Sequence, residues 1–197
     1  VPVTVDGDLS EWRDYAFHDG VWDVYRVEKS DWYDARINRL TRHGAEPSPA
    51  DDLAARYYMA WDERYLYLGA EVVDNVNDVD DPAHEPKRWY FKDAICWFVE
   101  IPRDRVNERF GEGDHAFCFV ADARRPRYAA WHRFGTKTKT YREEPLEKVE
   151  WTLDRGRNGN FTLEAKVALR ELTGITPRTG DTWGLSIVHT DPDGGAY

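Results

Sequence analysis

The stretch from Arg56 to Val73 reads RYYMAWDERYLYLGAEVV, and its period decides the fold. Leu66, Leu68, Ala70 and Val72 alternate with Tyr67, Gly69, Glu71 and Val73. Successive side chains of a strand point to opposite sides, so this alternation predicts a strand with one buried face. The polar triplet Asp62-Glu63-Arg64 divides the stretch and predicts a turn between two strands. Further strands are expected at 93–101, 115–122, 128–134, 147–154, 160–167 and 182–189. Each is rich in β-branched or aromatic residues and bounded by Gly, Pro, Asn or Asp. Asn158-Gly159 signals a two-residue hairpin between 149–155 and 160–167. Helix is scarce: 167–172 (VALREL) and 51–56 (DDLAAR) each fit one short turn. Residues 38–53 are polar with two prolines, which predicts a surface loop or insertion. Many short strands with regular turns imply an all-β, antiparallel sandwich or barrel.

Composition narrows the function. The chain has 197 residues and a formal net charge of −10. That balance argues against nucleic acid and anionic membrane surfaces as partners, since both need positive patches. No apolar run approaches the roughly 20 residues of a membrane span. The opening VPVTVDG has no basic segment followed by an apolar one, so no signal peptide is expected in it. Trp, Tyr and Phe number nine, eleven and eight. These flat faces suit a core, and some of them suit a ligand. Enzyme motifs are missing: there is no GxSxG, HExxH, P-loop or GxGxxG, and nothing sets two carboxylates across a cleft.

Four segments occur in a telling order. Val5-Asp6-Gly7-Asp8-Leu9-Ser10-Glu11-Trp12 opens the chain. Trp61-Asp62-Glu63-Arg64-Tyr65-Leu66-Tyr67-Leu68 follows, running into Glu71-Val72-Val73-Asp74. Lys92 to Glu100 reads KDAICWFVE. Phe161 to Val167 (FTLEAKV) and Gly184 to Asp191 (GLSIVHTD) close the series. Together they resemble the family-nine carbohydrate-binding modules and their relatives in the DOMON-like superfamily, over nearly the whole chain. The resemblance implies a jelly-roll, immunoglobulin-like antiparallel sandwich over 1–197. It implies a non-catalytic, extracellular or periplasmic module that holds a glycan chain or chain end between aromatics. Other domains of a larger polysaccharide-handling protein are implied partners. A sugar ring has an apolar C–H face that stacks on an aromatic and hydroxyls that need polar partners beside it.

Carried over residue by residue, the resemblance departs from the family at several points. The clamp Trp before the central strand falls on Tyr90, with Trp89 beside it. The sugar-binding Glu of that strand falls on Cys96, and an Arg of the next strand falls on Cys118. The second clamp Trp belongs beyond the Asp191-Pro192-Asp193-Gly194-Gly195 loop, so the module is expected to lack a final C-terminal strand here. The ligand contacts expected are Trp89 and Tyr90 for stacking, with Lys92, Asp93, Thr190 and Asp191 as polar partners. Trp131 is a further stacking candidate, whereas Trp61, Trp97 and Trp183 sit in strongly patterned strands and read as core. Arg124, Arg125 and Arg127 read as a solvated turn, or as a contact for acidic sugars.

Cys96 and Cys118 have three open readings. They form a disulfide, which fits an oxidising compartment; they are two buried thiols; or they bind a metal with His115, His132 or His189. The run Asp74, Asn75, Asn77, Asp78, Asp80 and Asp81 offers oxygen ligands that suit structural calcium, which family relatives carry, or forms a solvated acidic turn. No other cofactor is required. Three rival functions remain: a protein-interaction sandwich whose sugar site is lost, a catalytic derivative, and a haem-binding electron-transfer domain with Met59 as axial ligand. The absorption spectrum separates the last of these.

Overall fold

The structure is a computed structural model that describes residues 3–12, 31–34, 39–42, 53–75, 92–101, 113–121, 129–134, 141–144, 148–156, 159–172, 178 and 180–190. Its strands are β1 (Asp31–Asp34), β2 (Arg39–Arg42), β3 (Leu53–Trp61), β4 (Tyr65–Asp74), β5 (Ala94–Glu100) and β6 (Asp114–Val120). They continue with β7 (Ala129–Phe134), β8 (Tyr141–Glu144), β9 (Val149–Arg155), β10 (Phe161–Ala168) and β11 (Gly184–Thr190). Two antiparallel sheets form the body, one in the order β3-β4-β10-β9 and one in the order β11-β5-β6-β7-β8; β1 and β2 pair separately. The protein is an all-β antiparallel sandwich, as the alternation at 66–73 predicts. Among the described residues the helical pieces are short 3-10 turns, Leu9–Glu11 and Leu169–Glu171. No helix among them is long and apolar enough to cross a membrane.

Register explains the core. Leu66, Leu68, Ala70 and Val72 of β4 stand opposite Val167, Ala165, Leu163 and Phe161 of β10. From the other sheet come Ile95, Trp97 and Val99 of β5 and Phe117 and Phe119 of β6. All are buried in one cluster between the sheets. Met59 packs at the margin of this cluster, partly buried beside Leu68. That is the setting of a core filler.

The 62–64 turn forms as expected, with Asp62 as its hub. Its Oδ1 accepts from the N–H groups of Arg64 (2.7 Å) and Tyr65 (2.8 Å), and its Oδ2 accepts from Tyr67 Oη (2.8 Å). Burial works against the Asp62 charge, but these donated bonds outweigh it and hold the carboxyl below its usual value. Here the short polar side chain supplies the turn's geometry.

Three expectations need correction. The helical turn at 51–56 is not formed where it is described: residues 53–56 begin β3, because Ala55 is needed in the core opposite Val72. Within 38–53, expected as a surface loop or insertion, residues 39–42 are not loop but β2, paired with β1 in a two-stranded sheet of its own. The β9–β10 hairpin is longer than two residues. Gly156 N–H donates to Asn160 O (2.8 Å), which leaves three residues between them, and Gly159 takes the positive φ of +84°. A glycine in that conformation is the signature of a three-residue hairpin loop.

The opening motif packs on the outer face of the β3-β4-β10-β9 sheet. Val3, Leu9 and Trp12 are buried against Tyr67, with Tyr58, Ala60 and Tyr65 at the margin. Glu164 of β10 is fully buried and takes three donors. Its Oε1 accepts from Trp12 Nε1 (2.7 Å), and its Oε2 accepts from the N–H groups of Asp6 (3.0 Å) and Gly7 (2.6 Å). Thr162 Oγ1 donates to Gly7 O (2.9 Å). Gly7 has φ +94°, which suits glycine. Gly69 pairs with Glu164, and a Cβ there would stand 3.2 Å from two atoms of the Trp12 ring. The missing side chain at 69 is therefore the seat of the indole.

Candidate functional site

The expected contacts gather at the start of β5. Lys92 and Asp93 form the bend that enters it, and both are buried. Two neighbouring strands fix this bend. Ala121, just after β6, donates its N–H to Asp93 O (2.8 Å). Thr190, the last residue of β11, donates its hydroxyl to Lys92 O (2.6 Å) and lies within 3.3 Å of Ala94 O. The register Thr190 to Ala94 and Ala94 to Val120 holds the three strand ends together. The structure thus brings Lys92, Asp93 and Thr190 to one place, with the Thr190 hydroxyl bound to backbone. Trp89, Tyr90 and Asp191 lie outside the described residues.

Cys96 and Cys118 face each other across β5 and β6, with Cα atoms 4.1 Å apart, and their sulfurs are joined in a disulfide. They are buried with Ala116 and packed by Phe98. Ladder parity puts this group on the side of the sheet opposite Ile95, Trp97 and Val99. His115 pairs with Val99 and His189 with Ile95, so both histidines stand on the core side, away from the sulfurs. A bonded pair of sulfurs offers no thiolate to a metal. Among the described residues no group of three or more His, Cys, Asp or Glu is placed to hold an ion. Titration of the denatured, non-reduced protein with a thiol reagent is expected to find no free thiol. Two thiols per chain would contradict the disulfide.

The register also places the other aromatic candidate. Residue 131 stands opposite Phe117, whereas residue 132 stands opposite Ala116. Position 131 therefore belongs to the side that Phe117 buries, and position 132 belongs to the side of the disulfide. Of the proposed calcium ligands, Asp74 ends β4 and Asn75 follows it, with Asp74 N–H donating to Asn160 Oδ1 (3.0 Å). Asn77, Asp78, Asp80 and Asp81 lie outside the described residues.

His189 sits one residue before Thr190, but its ring turns inward. Tyr57 Oη lies 2.7 Å from its Nδ1, and the rings of Tyr57 and Phe161 meet it edge-on at 6.1 and 6.3 Å. Its Nε2 is enclosed without a hydrogen-bond partner among the described residues. Burial pushes the imidazole down to about 4, because charging it there would forfeit hydration. Sequence reading gave this pair no role. A Tyr and a His 132 positions apart carry no local signal, and only the register of two sheets joins them.

The family model described as carbohydrate family 9 binding domain-like matches residues 26–197. The chain belongs to that family. Two solved structures share the module's fold. One is a family 9 carbohydrate-binding module from Caldicellulosiruptor kristjanssonii in complex with cellotriose: TM-score 0.59, 15% identity, 95% of this chain and 71% of that chain covered. The other is such a module from the same organism in complex with glucose: TM-score 0.60, 15% identity, 95% and 73% covered. No curated protein matches the chain. Two of the sequence motifs have structural roles. The opening motif is anchored by Glu164 of the FTLEAKV motif, and Asp62 of the second motif makes its turn.

Proposed function

We propose that this family 9 module binds carbohydrate without transforming it, at the end of the five-stranded sheet where β5 begins and β11 ends. The observation that carries this reading is the family match across residues 26–197. Lys92 and Asp93 are buried charged residues at one strand entrance, which suits hydroxyl recognition. Trp89 and Tyr90 precede them in sequence, with Phe91 between, and supply the stacking faces. The ligand is a neutral glycan of the kind its sugar-bound structural neighbours hold, glucose or a short β-linked glucose chain. The disulfide supports an extracellular or periplasmic setting, since such bonds persist in oxidising compartments. There the module would serve a larger polysaccharide-handling protein by holding it on substrate.

The position of the disulfide shapes the recognition. Where the family resemblance sets a carboxylate and a guanidinium, this chain has two buried sulfurs beside Ala116 and Phe98. Covered in this way, the sulfurs offer a ligand neither hydrogen bonds nor open surface. Affinity therefore rests on the aromatics and on Lys92 and Asp93. Affinity electrophoresis of Trp89→Ala plus Tyr90→Ala tests this. Loss of the stacking rings is expected to weaken glycan retardation about tenfold or more, in line with about 0.5–1.5 kcal/mol per aromatic contact beyond its buried area. Retardation equal to the wild type would move the site elsewhere.

A further inference from the structure

The end of the sandwich remote from Lys92 carries a second aromatic surface. Trp61 is the last residue of β3, and Trp183 immediately precedes β11. Their ring centroids lie 6.4 Å apart with planes tilted by 38°. Trp183 packs on the core from the five-stranded side. Trp61 pairs with the core residue Leu66 at the edge of the other sheet, yet 52% of it is exposed. Among the described residues the other exposed large apolar side chains are two valines, Val73 and Val188. Plugging the end of the core needs only the inner faces of such rings. Half of Trp61 stands in water beside a second indole, a flat apolar surface that a ligand ring can cover.

We infer that Trp61 and Trp183 form a second carbohydrate-stacking site, one that takes the apolar face of a neutral sugar ring; this rests on the carbohydrate-binding reading above. The tilt of the two indoles makes a shallow angled platform, which fits a puckered ring with its C–H groups on one face. The adjoining exposed residues are polar and of both charges: Glu63 and Arg64 follow Trp61, and Asp181 and Thr182 precede Trp183, with Asp181 Oδ2 accepting from the Arg178 N–H. Carboxylates accept from sugar hydroxyls and a guanidinium donates to sugar oxygens, which suits a neutral chain rich in hydroxyls. Thr190 and Gly184 mark the two ends of β11, about 20 Å apart at about 3.3 Å per residue. The second platform is thus separate from the first site.

The test is protection of tryptophan from oxidation by N-bromosuccinimide in the intact chain, mapped by peptide mass spectrometry, with and without cellohexaose. Trp61 is expected to be oxidised early in the free protein and protected at least severalfold by the glycan. Trp61→Ala is expected to weaken cellohexaose binding about tenfold and Trp61→Phe much less, the difference of one stacking face. Glycan binding without protection of Trp61 overturns this inference and leaves the first site standing. Protection of Trp61, together with unchanged binding by Trp89→Ala plus Tyr90→Ala, supports the second platform and overturns the first site. A chain that binds no cellohexaose overturns both.

Discussion

Trp12→Ala is expected to lower the unfolding free energy by about 4 kcal/mol, the largest loss from any single change considered for this chain. The effect has two parts. Truncating a fully buried indole leaves a cavity on the outer face of the β3-β4-β10-β9 sheet, and such truncations cost about 3–5 kcal/mol. The change also removes a donor from Glu164, a buried carboxyl that burial already pushes above its usual value and that the donors from Trp12, Gly7 and Asp6 partly offset. Glu164→Gln keeps the shape and one acceptor oxygen, so it should cost less than Glu164→Ala, which strands the Trp12, Asp6 and Gly7 donors together. Urea unfolding followed by circular dichroism measures all three. A Trp12→Ala loss below about 1 kcal/mol would show that the opening motif is an ornament on a sandwich stable without it.

Acidification from pH 6.5 to 4 is expected to destabilise the wild type by about 3 kcal/mol through His189 alone. The imidazole titrates at about 4 when folded, against a usual 6.5, so the unfolded chain takes up the proton first. The folded pKa is lowered, hence the stabilising contribution is complete above about 6.5 and disappears as pH falls towards 4. Glu164 acts in the opposite sense. Its raised folded pKa favours the folded chain at low pH, and that benefit fades as pH rises through the folded value. The informative quantity is therefore the difference between wild type and His189→Phe, which removes the titrating ring and keeps an aromatic in the core. Stability curves that run parallel for the two proteins between pH 4 and 6.5 would mean that His189 accepts a proton without cost.

The fold was legible wherever one sheet face is buried. At 66–73 Leu66, Leu68, Ala70 and Val72 form the core side of β4 as the alternation predicts, although Tyr67 and Gly69 on the other side are covered too, by the opening motif. The signal failed at 51–56, where Ala54 and Ala55 fit helix by propensity but the ladder with β4 overrides local preference. It failed again at Tyr141–Glu144, where YREE is too short and polar to announce a strand and pairing with β7 makes it one. The candidate site was legible in part. Lys92, Asp93 and Thr190 do come together, because the motifs that contain them are neighbouring strands. The anchoring role of Glu164 was not visible. A glutamate in an alternating strand reads as solvent-facing, and only the docked Trp12 turns its outward position into a buried one.

Binding of carbohydrate without cleavage is the function proposed for this family 9 module. Isothermal titration of the intact chain with glucose, cellotriose and cellohexaose tests it most directly, with chromatography of the sugars recovered afterwards. Saturable binding of at least one of them is expected, with every sugar recovered at its original length. No heat of binding for any of the three, or recovery of shortened chains, would contradict it.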